Sequence, residues 1–374
     1  MYMIMAIYAN YFSIYFKHLG MTPVEIGVLN AIGPVVTIFV PVFFGSIADR
    51  SKYKNTILSV VIAMSAAISF LFFFGRSFIY IFFVVMLFFS AFCSISPLSD
   101  AIALERSALD GFNYSHVRLA GTLGFAVIAL VVGYLSDFDL MYSFYALSLC
   151  CTVSFVFSLF LPKVRGHAHE VQKVSIFELY KDKKYLAYQI FAALFWGNVS
   201  ISNAFFGLYL TDGLGGTKAM LGYANITSIL IETVLLATGM RITKKLGTTK
   251  TLCATMAIVG IRMVLTAASA GPWMLIGVNI LHGMTVMVFM YMLATYVNEN
   301  MRPELKARGQ MMNTVISMGF ARMVGSLVSG FMVEGLGYKM SFCLSGVFCL
   351  ACALVFYLFL TSMDRREKRL SDQI

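Results

Sequence analysis

Pro97–Leu104 reads PLSDAIAL, and Val117–Phe125 reads VRLAGTLGF. Each stretch sets one charged side chain, Asp100 or Arg118, inside apolar sequence, and each charge lies nine residues from a turn near Leu109. Two helices joined at that turn would carry both charges at the same depth and facing each other. A charge in hydrocarbon costs about 2.5–3.5 kcal/mol on insertion scales, so chains keep such groups where they pair, bind or carry something.

The composition is that of a polytopic, all-α membrane protein. The chain has 374 residues, of which 59% are hydrophobic and 12% charged, and its mean hydropathy is +0.82. A soluble domain has about 25% charged residues. The net charge of +10 could indicate a nucleic-acid partner, but the Lys and Arg residues lie in short loops between apolar runs. That pattern is typical of membrane topology, so we expect the lipid bilayer as partner and no nucleic acid.

The apolar sequence predicts twelve transmembrane helices, since a span needs about 17–25 residues. The runs are 1–17, 24–48, 55–75, 78–104, 114–136, 140–161, 185–211, 217–240, 251–270, 272–297, 308–333 and 338–362. The longest polar segment divides them into six and six. We therefore predict an N-terminal six-helix bundle (1–161), a cytoplasmic linker (162–184), a C-terminal six-helix bundle (185–362) and a cytoplasmic tail (363–374).

Loop charges predict the orientation. If the N-terminus is cytoplasmic, 21 Lys and Arg residues fall in the inner loops, the linker and the tail, four fall in the outer loops, and three lie within spans. Inner loops of membrane proteins carry the excess of positive charge. We therefore expect a multi-pass plasma-membrane protein with both termini in the cytoplasm.

A loop motif occurs twice. Gly45–Lys54 (GSIADRSKYK) joins the second and third runs, and Gly239–Gly247 (GMRITKKLG) joins the eighth and ninth after a shift of 194 residues. The second copy lacks the Asp. Internal repeats with a binding site between them are a recurring architecture of membrane transporters.

The first copy of this loop, with twelve spans in two sets of six and a basic central linker, resembles the major facilitator superfamily over essentially the whole chain. The resemblance implies a conformational latch made by Gly45, Asp49, Arg50 and Lys54. In that latch the glycine would allow close helix packing, and the Asp would lie near a helix N-terminus. The alternative is that the basic residues only determine topology.

A finer resemblance is to the branch that contains the lactose permease and the 3-phenylpropionate transporters. It is carried by the Asp100 and Arg118 stretches and by Arg308-Gly309-Gln310. It implies that Asp100 and Arg118 bind the substrate and that Phe125 stacks against it. Glu232, Arg262 and His282 lie on the spans where that branch has its Glu, Arg and His. The proton-carrying Glu of span ten is Thr285 here, so proton coupling cannot be transferred unchanged.

Residue spacing places four side chains of the second half near mid-membrane. Glu232, Arg262, His282 and Arg322 lie nine to fourteen residues from the nearest basic loop residue or helix start. At about 1.5 Å per residue that is roughly 14–21 Å from a membrane edge. With Asp100 and Arg118 they would form a polar layer of net charge +1. A carboxylate-bearing substrate or a sugar would suit such a layer, and the alternative is a set of structural ion pairs.

These features predict a secondary active transporter, a permease that takes up a small solute such as a sugar, an oligosaccharide or an aromatic carboxylate by alternating access. We expect proton coupling through Glu232, with Asp100 as the second candidate. Arg118, Phe125, Arg262, His282 and Arg322 are the expected substrate contacts. A facilitative uniporter, a drug exporter and a non-transporting sensor stay open. No metal-ligand cluster or nucleophile motif occurs, so we expect no enzyme, no metal and no cofactor besides the proton gradient, and a functional monomer.

Overall fold

The computed structural model describes residues 1–165, 179 and 182–371, and these form helices joined by short turns, without a β-strand among them. In the first half the helices are α1 (Tyr2–His18), α2 (Pro23–Arg50), α3 (Lys54–Ser69), α4 (Phe78–Phe92), α5 (Ile95–Asp110), α6 (Tyr114–Phe138) and α7 (Met141–Leu159). A 3₁₀ turn, Phe70–Phe73, extends α3, and α4 and α5 together make up the fourth predicted run. The predicted linker and the last tail residues lie mostly outside the described residues.

The second half contains α8 (Lys183–Leu208), α9 (Ala219–Leu246), α10 (Thr248–Ala268), α11 (Pro272–Asn279), α12 (Val286–Asn300), α13 (Pro303–Asn313) and α14 (Arg322–Ser371). α14 contains one non-helical residue, Gly337, with φ 75° and ψ 170°. Glycine adopts this positive φ at little cost. The break lies between the eleventh and twelfth predicted runs, so α14 contributes to both. Each of the twelve predicted runs thus coincides with helix in the part of the chain that the structure describes.

Local signals explain where several helices begin and end. α2 starts with a capping box in which Thr22 accepts from the Glu25 backbone N–H at 3.2 Å while the Glu25 side chain accepts from the Thr22 N–H at 2.8 Å. Pro23 takes the first helical position, where its missing N–H costs nothing. α5 ends at Gly111, which has φ 74° and closes the helix in the left-handed conformation. The turn between the two charged stretches therefore lies two residues beyond Leu109.

Besides the break at Cys93 and Ser94 between α4 and α5, two predicted spans are interrupted where the sequence indicated continuous helix. A 3₁₀ turn, Ile280–Met284, separates α11 from α12 and carries His282. A π-helical segment, Thr314–Ala321, separates α13 from α14 and immediately precedes Arg322. Such irregular turns inside helices often occur at functional sites. Irregular backbone at membrane depth is tolerated where protein or a polar cavity surrounds it.

The protein is a multi-pass membrane protein. Within the described residues, nine helical segments are long and apolar enough to cross a bilayer, and one of them, Arg308–Met363, spans the Gly337 break. Large apolar side chains such as Phe39 and Phe138 are exposed. A soluble protein does not carry so many exposed apolar side chains, whereas in a bilayer they face acyl chains.

The chain folds into two compact units. The first contains Met1–Val171, Asn203–Tyr223 and Ser326–Glu334, and the second contains Gln172–Ser202, Ala224–Gly325 and Gly335–Ile374. The first unit therefore includes the helices of the first half together with two short pieces of the second half. The division into bundles 1–161 and 185–362 stays a prediction based on sequence.

Aromatic rings fill the core of each unit. In the first unit Phe12, on α1, stacks on Phe144 of α7 at 5.4 Å between ring centroids and also contacts Phe72 at 5.2 Å. In the second unit Phe195 of α8 stacks on Phe289 of α12 at 3.9 Å. Such ring pairs add about 0.5–1.5 kcal/mol each beyond the apolar area that they bury.

Small residues bring helices of the first unit into backbone contact at the end away from the Lys54 loop. A Cβ at Gly27 on α2 would lie 2.7 Å from the Ser326 carbonyl oxygen and 3.0 Å from the Gly330 Cα. A Cβ at Gly133 on α6 would lie 2.8 Å from the Ala219 Cα. Close approach of this kind needs glycine, because any larger side chain would separate the helices.

Candidate functional site

Asp100 and Arg118 lie together on neighbouring helices. Arg118 Nη1 is 3.7 Å from Asp100 Oδ2, and the side chains of Arg118 and Asp100 are 45% and 31% exposed. The hairpin between α5 and α6 therefore brings Asp100 and Arg118 to the same depth. Because both side chains are partly exposed, the pair can exchange partners at a lower cost than a fully buried ion pair.

Two tyrosines that sequence reasoning missed complete this cluster. The Tyr114 hydroxyl donates to Asp100 Oδ1 at 2.7 Å, and the Tyr2 ring lies 5.9 Å from Arg118 Cζ in a cation–π contact. Gly121 permits the second contact, because a Cβ there would overlap the Tyr2 ring. Tyr114 is one turn before Arg118 and could have been suspected from that spacing. No sequence signal indicated Tyr2, which lies on α1.

Phe125, the predicted stacking residue, lies on α6 two helical turns after Arg118 and is partly buried. The aromatic ring in contact with Arg118 is that of Tyr2. The cluster therefore offers a carboxylate, a guanidinium, a phenol hydroxyl and an aromatic face within one small region of the first unit. This set can form directional hydrogen bonds with a polyhydroxylated molecule and support one of its faces.

Arg262 of α10 is enclosed by neutral groups in the second unit. Its side chain is 3% exposed, Nη2 donates to Ser202 Oγ at 2.8 Å, and Nη1 lies 3.4 Å from Asn279 Oδ1. Asn279 in turn donates to the Ala224 carbonyl at 2.9 Å, which orients its oxygen toward the arginine. Arg262 Nε has no hydrogen-bond partner in the described part of the chain. A guanidinium without a carboxylate is costly in such surroundings.

The turn that carries His282 packs tightly on the helix that carries Glu232. A Cβ at Gly283 would overlap the Ser228 carbonyl and lie 2.9 Å from the Glu232 backbone nitrogen. Glu232 is partly buried on α9. Thr285 is buried, and its hydroxyl donates to the His282 carbonyl at 2.9 Å. Thr285 therefore makes a local backbone contact and has no group that titrates in the physiological pH range.

Arg322 begins α14 directly after the π-helical segment. Its guanidinium lies 5.8 Å from the centre of the Trp196 ring, and its backbone carbonyl accepts from the Ser200 hydroxyl at 3.2 Å. A cation over an indole face is stabilised by about 0.5–2 kcal/mol, depending on burial. The indole thus holds the predicted substrate contact Arg322 in a defined position.

The predicted latch residues lie at the loop between α2 and α3. Lys54 Nζ is 3.1 Å from Glu105 Oε2 and 3.7 Å from Asp49 Oδ1. The Glu105 side chain is 28% exposed, and its contact with Lys54 joins α5 to this loop. Arg106 pairs with Asp110 at 2.7 Å one turn further along α5.

Gly45 does not mediate a close helix contact in this structure. Nothing lies within 4 Å of the position that a Cβ would occupy there, so the expected packing role of this glycine is not seen. Arg50 ends α2 and is exposed. The side chains of 236–245, which include most of the second copy of the loop, lie outside the described residues.

Two carboxylates at the other end of the first unit cap helices far away in sequence. Asp137 of α6 accepts from the backbone N–H groups of Lys218 at 2.6 Å and Ala219 at 3.1 Å, at the start of α9. Glu334 of α14 accepts from the Val24 N–H at 3.0 Å, at the start of α2. A carboxylate at a helix N-terminus satisfies free N–H groups and complements the helix dipole.

Comparison with known proteins identifies the family. The MFS_1 like family model matches residues 1–344. The chain is similar to the maltose permease of Geobacillus stearothermophilus, with 24% identity over 351 residues that cover 93% of this chain and 88% of the relative. It is also similar to the sucrose permease of Escherichia coli, with 21% identity over 378 residues that cover 94% and 88%.

The fold is shared with solved transporters. The crystal structure of the nucleoside transporter NupG superposes with a TM-score of 0.84 at 19% identity, covering 96% of each chain. The twelve helical runs accord with this likeness. The chain therefore belongs to the MFS_1 like family of the major facilitator superfamily, and it is a transmembrane transporter.

Proposed function

We propose that this transporter takes up a small polyhydroxylated solute, a sugar or an oligosaccharide, in symport with protons. The observation that carries the substrate class is the cluster of Asp100, Arg118, Tyr114 and Tyr2. Its two charges neutralise each other and both side chains are partly exposed, so it favours a neutral ligand with hydroxyl groups over an ion. The names of the two relatives, maltose permease and sucrose permease, support the same class.

An aromatic carboxylate is the second candidate substrate. Arg262 favours it, because the groups that contact this arginine in the described part of the chain are neutral, and a substrate carboxylate could supply the missing negative charge. Against it stands the burial of Arg262, which is 3% exposed and would have to become accessible first. A sugar at the Asp100–Arg118 cluster needs no such rearrangement.

Proton coupling through Glu232 is the mechanism that we propose. Thr285 cannot carry the proton, because a threonine hydroxyl is not an acid in the physiological range. Glu232 is partly buried, and the turn bearing His282 packs on its helix. Substrate binding that changes the surroundings of this carboxyl would change its proton affinity. Asp100, hydrogen-bonded to Tyr114, is the second candidate.

Alternating access is supported by the contacts at the two ends of the first unit. Asp137 and Glu334 close one end by capping α9 and α2, and Lys54 with Glu105 holds the latch loop at the other. We propose that the capped end faces outward and the latch end faces the cytoplasm of a plasma-membrane protein with both termini inside. We further propose a functional monomer without enzymatic activity, metal, organic cofactor or nucleic-acid partner.

A ligand screen tests the substrate class. The purified protein is heated with individual sugars, nucleosides and aromatic acids, since a ligand that binds the native state raises its apparent melting temperature. We expect the stabilising compound to be a sugar. Its effect should disappear in Arg118→Ala and persist in Arg76→Ala, which removes an exposed arginine outside the cluster. Stabilisation by aromatic acids alone would contradict the proposal.

Transport in proteoliposomes tests the coupling. A pH gradient should drive uptake of the sugar into vesicles that contain the wild-type protein. Glu232→Gln should abolish gradient-driven uptake and retain counterflow, because exchange of labelled for unlabelled solute needs no net proton movement. Asp100→Asn is expected to weaken both gradient-driven uptake and counterflow. Gradient-driven uptake that survives Glu232→Gln would exclude Glu232 as the proton carrier, and uptake without any gradient response would indicate a uniporter.

A further inference from the structure

A groove runs along the surface of the first unit, between the start of α3 and the end of α7. Its volume is about 450 Å³. The residues that line it come from these two helices and the segments beside them: Tyr53, Asn55, Thr56, Ser59, Val60, Ala63, Phe155, Ser158, Leu159, Leu161 and Lys163. None of them takes part in the Asp100–Arg118 cluster or in the latch. The groove therefore belongs to a different functional surface.

The body of the groove is apolar and its apolar side chains are exposed. Val60, Leu159 and Leu161 are exposed on its walls, and Phe157 and Phe160 continue the apolar surface beside it. Two of its polar side chains are paired with each other, since the Ser158 hydroxyl donates to Ser59 Oγ at 2.9 Å. In a membrane protein an exposed apolar groove of this kind faces acyl chains.

The mouth of the groove carries two ammonium groups on one aromatic platform. Lys52 Nζ lies 5.6 Å and Lys163 Nζ 5.3 Å from the centre of the Tyr53 ring. Both lysines are exposed, and within the described residues neither forms an ion pair with a carboxylate. The nearby Asp49 and Glu105 are engaged by Lys54 instead. The mouth thus has two positive charges without a counterion from the described part of the chain.

The position of Lys163 is fixed by hydrogen bonds on both sides of it. The Asn55 amide donates to the Pro162 carbonyl at 3.1 Å, and the Val164 N–H donates to Asn55 Oδ1 at 2.8 Å. The Lys54 N–H also donates to the Val164 carbonyl at 2.9 Å. Asn55 and Val164 are buried. The chain after α7 is therefore anchored to the start of α3, which places the backbone of Lys163 close to Tyr53.

We propose that this groove binds one anionic phospholipid of the cytoplasmic leaflet. One acyl chain lies along the apolar wall, and the headgroup phosphate lies between Lys52 and Lys163 at the Tyr53 ring. The placement in the cytoplasmic leaflet rests on the orientation proposed above. A zwitterionic lipid would bring its own cation beside two lysines, whereas an anionic headgroup neutralises them. Basic pockets between membrane helices recognise anionic headgroups in this way.

Lipid retention by the full-length protein tests this inference without reference to transport. The protein is purified in mixed micelles that contain equal amounts of phosphatidylglycerol and phosphatidylcholine, and the retained lipids are counted by native mass spectrometry. We expect the wild type to retain more phosphatidylglycerol than phosphatidylcholine. A lysine at the membrane surface raises the affinity for an anionic lipid about fivefold. Lys52→Gln with Lys163→Gln should therefore lower the preference for phosphatidylglycerol over phosphatidylcholine roughly 25-fold.

A matched control separates this site from general charge. Lys250→Gln with Lys306→Gln removes two other basic residues and should leave the preference unchanged. Ala63→Phe fills the groove and should reduce retention of both lipids, while thermal unfolding verifies that the variant is folded. Equal retention of the two lipids by the wild type would overturn the proposal. So would an unchanged preference in the Lys52 and Lys163 double variant, or an equal loss in the control variant.

Discussion

At the residue scale, three arginines inside apolar sequence have three different environments. Arg118 shares a half-exposed pair with Asp100, Arg322 lies over the Trp196 ring, and Arg262 is enclosed by the neutral groups of Ser202 and Asn279. Burial and counter-charge therefore differ among residues that hydropathy treats alike. The energetic consequences of removing each charge should differ in sign as well as in size.

Asp100→Asn should impair ligand binding with little effect on folding. The pair is partly exposed and its charges are 3.7 Å apart, so we expect it to contribute no more than about 1 kcal/mol to the free energy of unfolding. A hydrogen bond from a ligand hydroxyl to a carboxylate is worth about 1.5–3 kcal/mol, so affinity should fall by roughly 10- to 100-fold. Isothermal titration with the sugar identified in the screen measures the loss.

The control is Asp110→Asn, which breaks the Arg106–Asp110 pair on the same helix. It should change neither affinity nor melting temperature appreciably. A melting temperature that falls by many degrees in Asp100→Asn, with affinity unchanged, would mean that the carboxylate is a structural strut.

Arg262→Met should leave the melting temperature equal or higher while it abolishes transport. Burying an ion without a counter-charge costs several kcal/mol, whereas the hydrogen bonds to Ser202 and Asn279 contribute about 1 kcal/mol each. Scanning fluorimetry of the purified variant measures the first effect and proteoliposome uptake the second. In the matched variant Arg322→Met the contact with Trp196 is lost, and the melting temperature should fall. A clear drop for Arg262→Met would assign this arginine a purely structural role.

At the element scale, the apolar runs of the sequence do not show where helices are interrupted. The runs 272–297 and 308–333 predicted continuous helix, yet Ile280–Met284 and Thr314–Ala321 are irregular. Neither segment contains a proline, and each contains one glycine, Gly283 or Gly319, which is common in membrane helices and does not by itself mark a break. His282 and Arg322 lie in or directly after these segments, which indicates that tertiary packing sets the local backbone where the candidate site residues are.

The caps that Asp137 and Glu334 place on α9 and α2 should favour the conformation in which this end of the first unit is closed. Replacing a helix cap by alanine costs about 0.5–2 kcal/mol, so Asp137→Ala and Glu334→Ala should each raise the population in which the capped end is open by about fivefold, and the double variant by about 25-fold. The physical reason is that each cap joins helix ends that must separate when this end opens. Spin-label distances across the capped end of the first unit measure the populations.

Asp139 provides a control for this prediction. It accepts from the Met141 N–H at 2.9 Å at the start of α7, so its cap is local to one turn of chain. Asp139→Ala should lower stability by a similar amount without changing the distance distribution. Unchanged distributions in the Asp137 and Glu334 double variant would show that the caps do not control opening.

At the scale of the whole molecule, charge distribution predicts orientation. Of the 28 Lys and Arg residues, 21 fall in the loops and termini assigned to the cytoplasm and four in the opposite loops. Lys52 and Lys339 are both exposed and represent the two sides. In a background with its seven cysteines replaced by serine, Lys339→Cys should react with an impermeant maleimide in intact cells. Lys52→Cys should react only after permeabilisation, and the reverse pattern would contradict the proposed topology.

The sequence by itself determined which segments are helices in a membrane and that Asp100 and Arg118 lie at one depth. These properties depend on hydropathy and on spacing along one helix or one hairpin, which are local. Only the tertiary structure decided that Tyr2 lies beside Arg118, that Glu105 pairs with Lys54, and that Asp137 caps α9. Such contacts depend on how each helix is rotated about its axis and on how closely it approaches helices that are distant in sequence. In a uniformly apolar environment hydropathy specifies neither the rotation nor the approach.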